Sequence, residues 1–288
     1  MARLDGKIAV VTGGTQGLGA AIARHFASIG MAGVLVAGRS RDRGEAVARE
    51  ICERWATPSF FVATDLASVD DCRRLVACAD EKFGRIDILV NAAGRTDRGT
   101  VLDTTPETFD ALFNVNVRAP FFLIQEAVRL MRRDHVSGSI VNIGSMSSLA
   151  GQPIIAAYCA SKGALATLTR NVAFALLPDR IRVNALNIGW MASDGEDQVQ
   201  RRLHGSGDGW QASAGALLPL GRLLEPEEVA QTVAFLASDD SGAMTGAVIE
   251  YDQSVWGAYE NAPVPAGRLP DAGHRSLVIS GPELKPAA

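Results

Sequence analysis

A single doubly wound α/β domain, with helices on both faces of a seven-stranded parallel sheet, is the fold this sequence predicts. Three observations lead there. Seven short apolar runs alternate with longer helical stretches from residue 7 to about residue 250. The runs are continuously apolar rather than alternating, as strands buried on both faces are. The first run leads into a glycine-rich turn and then an amphipathic stretch.

The strands read as Ile8–Val11, Val34–Ala37, Phe60–Ala63, Ile86–Val90, Ser139–Ile143, Arg182–Leu186 and Ala247–Glu250. Each is short, often β-branched, and bounded by Gly, Asp or Asn. The first helix carries Leu18, Ile22 and Phe26 at four-residue spacing, and a later one carries Val117, Phe121, Ile124, Val128 and Met131 on one stripe. Residues 190–218 depart from the pattern. They are polar and contain Gly205-Ser206-Gly207-Asp208-Gly209, as expected of a lid or binding loop. Residues 261–288 are rich in Pro, Ala and Gly and have little periodicity, and they read as an extended or disordered tail. The expected organisation is one domain over 1–260 followed by that tail.

The chain has 288 residues, 47% apolar and 21% charged, with a net charge of −4. The charges are interspersed, so there is no electrostatic footprint for nucleic acid. No apolar run reaches the 18 residues a membrane helix needs. The N-terminal apolar run is too short for a secretory signal, so a cytoplasmic location is expected. Cys52, Cys72, Cys78 and Cys159 form no Cys-x-x-Cys pair and the histidines are scattered, so no metal site is expected.

Thr12-Gly13-Gly14-Thr15-Gln16-Gly17-Leu18-Gly19 stands between the first strand and first helix. Glycines allow a tight turn and close backbone approach to a diphosphate, and the helix N-terminus offers free N–H groups and a positive dipole end. Tyr158 and Lys162 are four apart, which puts them on one helix face, and Ser145 lies thirteen residues before Tyr158. A neighbouring ammonium stabilises a phenolate, so Lys162 is expected to lower the Tyr158 pKa and fit it for proton transfer near neutral pH.

Together with Asn91-Ala92-Ala93-Gly94 and Asn116, these motifs occur in the order and spacing of the short-chain dehydrogenases/reductases. The chain resembles that family over residues 5–252. The resemblance implies a Rossmann-type fold, an oxidoreductase acting on a small carbonyl or alcohol substrate, and a homotetramer. It implies Tyr158 as acid/base, Lys162 as its partner and ribose ligand, Ser145 orienting the substrate oxygen, and Asn116 holding a water for proton relay. Cofactor contacts are implied at Gly13, Thr15, Gln16, Gly17, Leu18, Gly19, Asp65, Leu66, Asn91, Gly94, Gly189 and Ser193.

Arg39 ends the second strand, twenty residues after Gly19, and Gly38 stands where NAD-preferring members usually carry Asp. A guanidinium suits the 2′-phosphate, so NADP is expected, with NAD as the alternative. Arg41 and Arg43 add positive charge, whereas Gln16 occupies a position where many NADP-preferring members are basic. Ile188 replaces a usual Pro, which points to a looser or differently aimed substrate loop with cofactor binding retained, and Asp252-Gln253-Ser254 replaces the closing Asp-Gly-Gly. Arg95 is a further candidate substrate contact. The charged 190–218 segment favours a small polar substrate such as a sugar or polyol. The alternatives are a reductase of 3-oxoacyl or other apolar ketones, and a non-catalytic NADP-sensing regulator on the same fold.

Overall fold

The computed structural model describes residues 3–255. One compact unit ends at Gln253, and of the second, which begins at Ser254, only Ser254 and Val255 are described. The tail expected over 261–288 lies outside the described residues.

The chain runs β1 (Ile8–Thr12), α1 (Gly17–Ser28), β2 (Gly33–Gly38), α2 (Arg41–Trp55), β3 (Ser59–Ala63), α3 (Val69–Phe83), β4 (Ile88–Asn91), α4 (Pro106–Phe113), α5 (Ala119–Arg133), β5 (Ser139–Ile143), α6 (Ala156–Ala175), β6 (Arg182–Ile188), α7 (Asp194–His204), α8 (Trp210–Gly215), α9 (Pro226–Ala237) and β7 (Val248–Tyr251). The seven strands pair in parallel in the order β3-β2-β1-β4-β5-β6-β7. The order reverses between β1 and β4, so a crevice opens beyond their carboxyl ends.

Each face of the sheet has its own core. On one, Ile22 and Phe26 of α1 pack with Val229 and Val233 of α9 against Val11 and Val90. On the other, Leu75 of α3 and Leu123, Ile124 and Met131 of α5 cover Val10, Leu89 and Ile140. Burying one such side chain stabilises the fold by about 1.5–3 kcal/mol before entropy is counted. Among the described residues, no helix is long and apolar enough to cross a membrane.

Two elements differ from the sequence expectation. Asn114–Arg118 form a π-helical turn ahead of α5. Of the stripe expected from Val117, Ile124, Val128 and Met131 are buried and Val117 is half-buried in the π-helical turn. Leu123, Ile124, Ala127, Val128, Leu130 and Met131 are buried, while Phe121 stays 47% exposed. The expected loop over 190–218 also contains two helices. The Ser193 hydroxyl accepts from Glu196 N at 3.2 Å, and Gly205 closes α7 in a left-handed conformation. Asp194, Glu196 and Asp197 fill the first turn of α7, and Arg201, Arg202 and His204 fill its last. That polarity complements the helix macrodipole.

Candidate active site

The glycine turn is held by packing against the end of β4. The Thr12 hydroxyl accepts from Ala92 N at 3.1 Å and Ala93 N at 3.2 Å, and donates to Val90 O at 3.3 Å. Gly13 has φ +68°, and a Cβ there would lie 2.9 Å from the Ala93 backbone. A Cβ on Gly19 would run into the Gly13 carbonyl. The first turn of α1 has no side-chain cap from Gln16 and no acidic residue. The N–H groups of Gly17, Leu18 and Gly19 are thus left for a ligand at the positive end of the helix. This donor set fits a diphosphate.

Beside the turn, at the end of β2, a Cβ on Gly38 would lie 2.7 Å from Thr15 Cγ2. Arg39 is exposed and has no hydrogen-bond or ion-pair partner among the described residues. Arg41 is engaged with Glu45 at 2.9 Å. Arg43 reaches back across the turn, donating to Gln16 Oε1 and, at 3.1 Å, to Ser40 Oγ. Asp65 is exposed at the end of β3, where its Oδ1 accepts from Ala67 N at 3.0 Å, with half-buried Leu66 beside it. The cap of α3 is Ser68, which accepts from Asp71 N at 3.2 Å. Asn91 is 2% exposed, and its amide donates to Asn142 Oδ1 at 2.8 Å. Asn142 in turn donates to Thr169 Oγ1 at 2.9 Å, so Asn91 is placed to tie β4 to β5 and α6.

Tyr158, Lys162, Ser145 and Asn116 come together near the carboxyl ends of β4 and β5. Lys162 is buried, and its ammonium donates to Ile143 O at 2.8 Å, with Nζ 5.8 Å from the centre of the Tyr158 ring. Gly94 lies beside it: a Cβ there would stand 3.5 Å from Lys162 Nζ and 3.6 Å from Asn116 Oδ1. The π-helical turn presents Asn116, whose Oδ1 accepts from Arg95 N at 2.9 Å. Its Nδ2 donates to Arg95 O and to Ser161 Oγ, each at 3.0 Å. Ser161, which the sequence did not single out, in turn donates to the Tyr158 backbone carbonyl at 2.7 Å. Ser145 N donates to Asn187 Oδ1 at 3.2 Å, and Ser145 Oγ accepts from Ser147 N at 3.1 Å.

The electrostatics differ from the sequence expectation. Burial pushes the half-buried Tyr158 phenol above its ordinary value, and a hydrogen bond with Ser145 only partly offsets it. The Lys162 ammonium is turned to the Ile143 carbonyl and is itself pulled down to about 8 by burial. Near neutral pH Tyr158 therefore holds its proton, as a proton donor to a carbonyl oxygen must.

The segment after β6 is hydrogen-bonded at several points. Ile188 extends β6 and pairs with Tyr251, where the proline expected there would have restricted the strand. Gly189 N donates to Tyr251 O at 2.9 Å, and a Cβ on Gly189 would collide with the Asp252 carboxylate. Leu224 N donates to Trp190 O at 3.0 Å and Ala192 N to Leu224 O at 2.8 Å. Ser193 comes beside the phosphate turn, 3.4 Å from where a Gly17 Cβ would be, with its hydroxyl engaged in capping α7. Trp190 and Trp210 lie with ring centres 6.0 Å apart, and their indoles donate to Glu196 at 2.9 Å and Asp197 at 2.7 Å.

Comparison with known proteins gives a consistent result. Residues 13–254 match the family model described as enoyl-(acyl carrier protein) reductase. The chain is 34% identical over 252 residues to a 3-oxoacyl-[acyl-carrier-protein] reductase of Thermotoga maritima, covering 87% of this chain and 98% of that protein. A short-chain type dehydrogenase/reductase from Mycobacterium marinum superposes with a TM-score of 0.79 at 31% identity, covering 87% of this chain and 96% of that one. A 3-oxoacyl (acyl-carrier-protein) reductase from Agrobacterium tumefaciens C58 with NADP bound gives a TM-score of 0.79 at 28% identity, over 88% of this chain and 95% of that one.

Proposed function

The chain belongs to the short-chain dehydrogenase/reductase family of NAD(P)-dependent oxidoreductases, and from that premise we propose that it is an NADP-linked enzyme interconverting a small polar ketone and its alcohol. The observation that carries the reading is buried Lys162, held on the Ile143 carbonyl with its ammonium 5.8 Å from the Tyr158 ring centre, with Ser145 near the phenol, beside a turn whose donors fit a diphosphate.

The first-turn N–H groups of α1 would hold the diphosphate, Arg39 the 2′-phosphate and Lys162 the nicotinamide ribose. A nicotinamide bound there supplies or accepts the hydride. Ser145 donates to the substrate oxygen and fixes its direction. Tyr158 passes its phenolic proton to that oxygen during reduction and takes it back during oxidation. Lys162, close to Asn116 across Gly94, is placed to receive the replacement proton through the Asn116 region.

Three details favour NADP. Arg39 has no competing partner among the described residues. Arg43, anchored on Gln16, brings a second guanidinium to the turn where the sequence lacks a basic residue. Thr15 crowds Gly38, so a ribose-reading carboxylate at that position would displace it. A charged α7 beside the mouth supports a polar substrate. A cytoplasmic homotetramer is the assembly we propose, supported by Phe174, 78% exposed on α6, and Phe121 on α5. The test is fluorescence titration of NADPH and NADH with wild type and Arg39→Ala. Tighter NADPH binding that collapses in the variant is expected. Tighter NADH binding, unchanged by the substitution, would overturn the cofactor assignment.

A further inference from the structure

The chain after β4 is fastened to the catalytic helix. Gly99 N donates to Ile154 O at 2.8 Å and Ala156 N to Gly99 O at 3.2 Å, two residues before Tyr158. Arg98 adjoins this staple and is half-buried. Its Nη1 donates to Thr96 O at 2.9 Å. Its Nε and Nη2 both face His204 Nε2, at 3.4 and 3.3 Å. A guanidinium only donates, so that ring nitrogen is the acceptor. Two parallel N–H groups thus converge on one atom, at distances longer than the roughly 2.7–2.9 Å of a charge-assisted bond. The edge of a guanidinium is matched by two oxygens, and an imidazole offers one nitrogen.

Several neighbouring charges are already paired. Arg95 is held by Asp97 at 2.7 Å, and Arg201 by Asp197 at 2.8 Å. Glu196, whose charge reaches Tyr158, already accepts from the Trp190 indole and the Gln200 amide, each at 2.9 Å. Arg98 has no carboxylate among the described residues, and its charge also reaches the Tyr158 phenol. It is a cation with an unmatched fork beside the group proposed to deliver the proton.

Resting on the oxidoreductase reading, we propose that the Nε–Nη2 edge of Arg98 is a subsite for an oxyanion of the substrate, and that the substrate is a keto acid or the corresponding hydroxy acid. The carboxylate replaces His204 on the fork. The ketone carbon, in the same molecule, then faces Ser145 and Tyr158. A nicotinamide held at the turn would supply the hydride to that carbon, and the Tyr158 phenol would pass its proton to the oxygen. The same fork would accept a phosphate, so the test includes both oxyanions.

The experiment is steady-state NADPH oxidation with matched keto acids, their methyl esters and keto phosphates, by wild type, Arg98→Ala and Arg98→Lys. Wild type is expected to prefer the acids over their esters. In Arg98→Ala the acid-to-ester ratio of kcat/KM should fall on the order of ten- to hundredfold, mainly through KM. Arg98→Lys should fall between, since it keeps the charge and loses the fork. An Arg98-dependent preference for keto phosphates would support the oxyanion subsite and identify phosphate as the group. Esters turned over as well as acids, or a ratio unchanged by either substitution, would overturn the inference and leave the oxidoreductase reading intact. No turnover of any compound by an NADPH-binding wild type would overturn both.

Discussion

Replacing Lys162 with methionine separates what the site costs from what it does. The wild-type ammonium is buried and its pKa is lowered from 10.5 to about 8, with burial as the cause. A base whose folded pKa lies below its unfolded value disfavours folding while the folded group must carry its proton. That penalty is fully present below the folded pKa and is relieved as pH rises toward the unfolded value. The drop to about 8 corresponds to about 3 kcal/mol near neutral pH. Methionine removes this penalty but leaves the Ile143 carbonyl without its donor, which costs about 1–3 kcal/mol. The two nearly cancel at neutral pH, so the diagnostic quantity is the pH dependence. Between about pH 8 and about pH 9.5 wild type should gain about 1–2 kcal/mol relative to Lys162→Met. The assay is urea unfolding of both proteins at closely spaced pH values, with turnover measured in parallel. Parallel stability curves across that range would refute the burial argument, and an active variant would refute the role given to the ammonium.

Two further perturbations test the scaffold of the site. Gly13→Ala forces a side chain into a φ of +68° and into contact with the Ala93 backbone. It should cost about 1–3 kcal/mol and weaken NADPH binding, read by calorimetry and titration; unchanged values for both would show that the turn is not held as described. Ser193→Ala removes the cap of α7 at a local cost of about 1 kcal/mol. It should speed proteolytic cleavage within residues 190–218 with little change in Tm, and an unaltered digestion pattern would mean that the cap does not hold that helix.

The strands were legible because continuous apolar runs bounded by Gly, Asp and Asn have few other readings. The glycine turn was legible for a related reason: Gly13 and Gly19 are required by backbone contact, and that requirement is visible as composition. Helix α7 was not legible. Its acidic first turn and basic last turn resemble a solvated charge cluster unless the Ser193-x-x-Glu196 cap is recognised as a start signal. The stripe from Val117 was legible at Ile124, Val128 and Met131, whereas the π-helical turn at Asn114–Arg118 leaves no trace in apolar spacing. The Tyr158–Lys162 spacing placed the two side chains on one helix, but it could not show that burial would hold the phenol above its ordinary value. Contacts such as Arg43 to Gln16 and Arg98 to His204 join distant segments of chain, and only folding brings them together.

The central claim is that Tyr158 delivers the proton. It is tested most directly by comparing NADPH-dependent ketone reduction by wild type and Tyr158→Phe, with NADPH affinity measured on the same samples. The account predicts a loss of turnover on the order of a hundredfold or more with NADPH affinity retained. A phenylalanine variant that turns over as fast as wild type would contradict it.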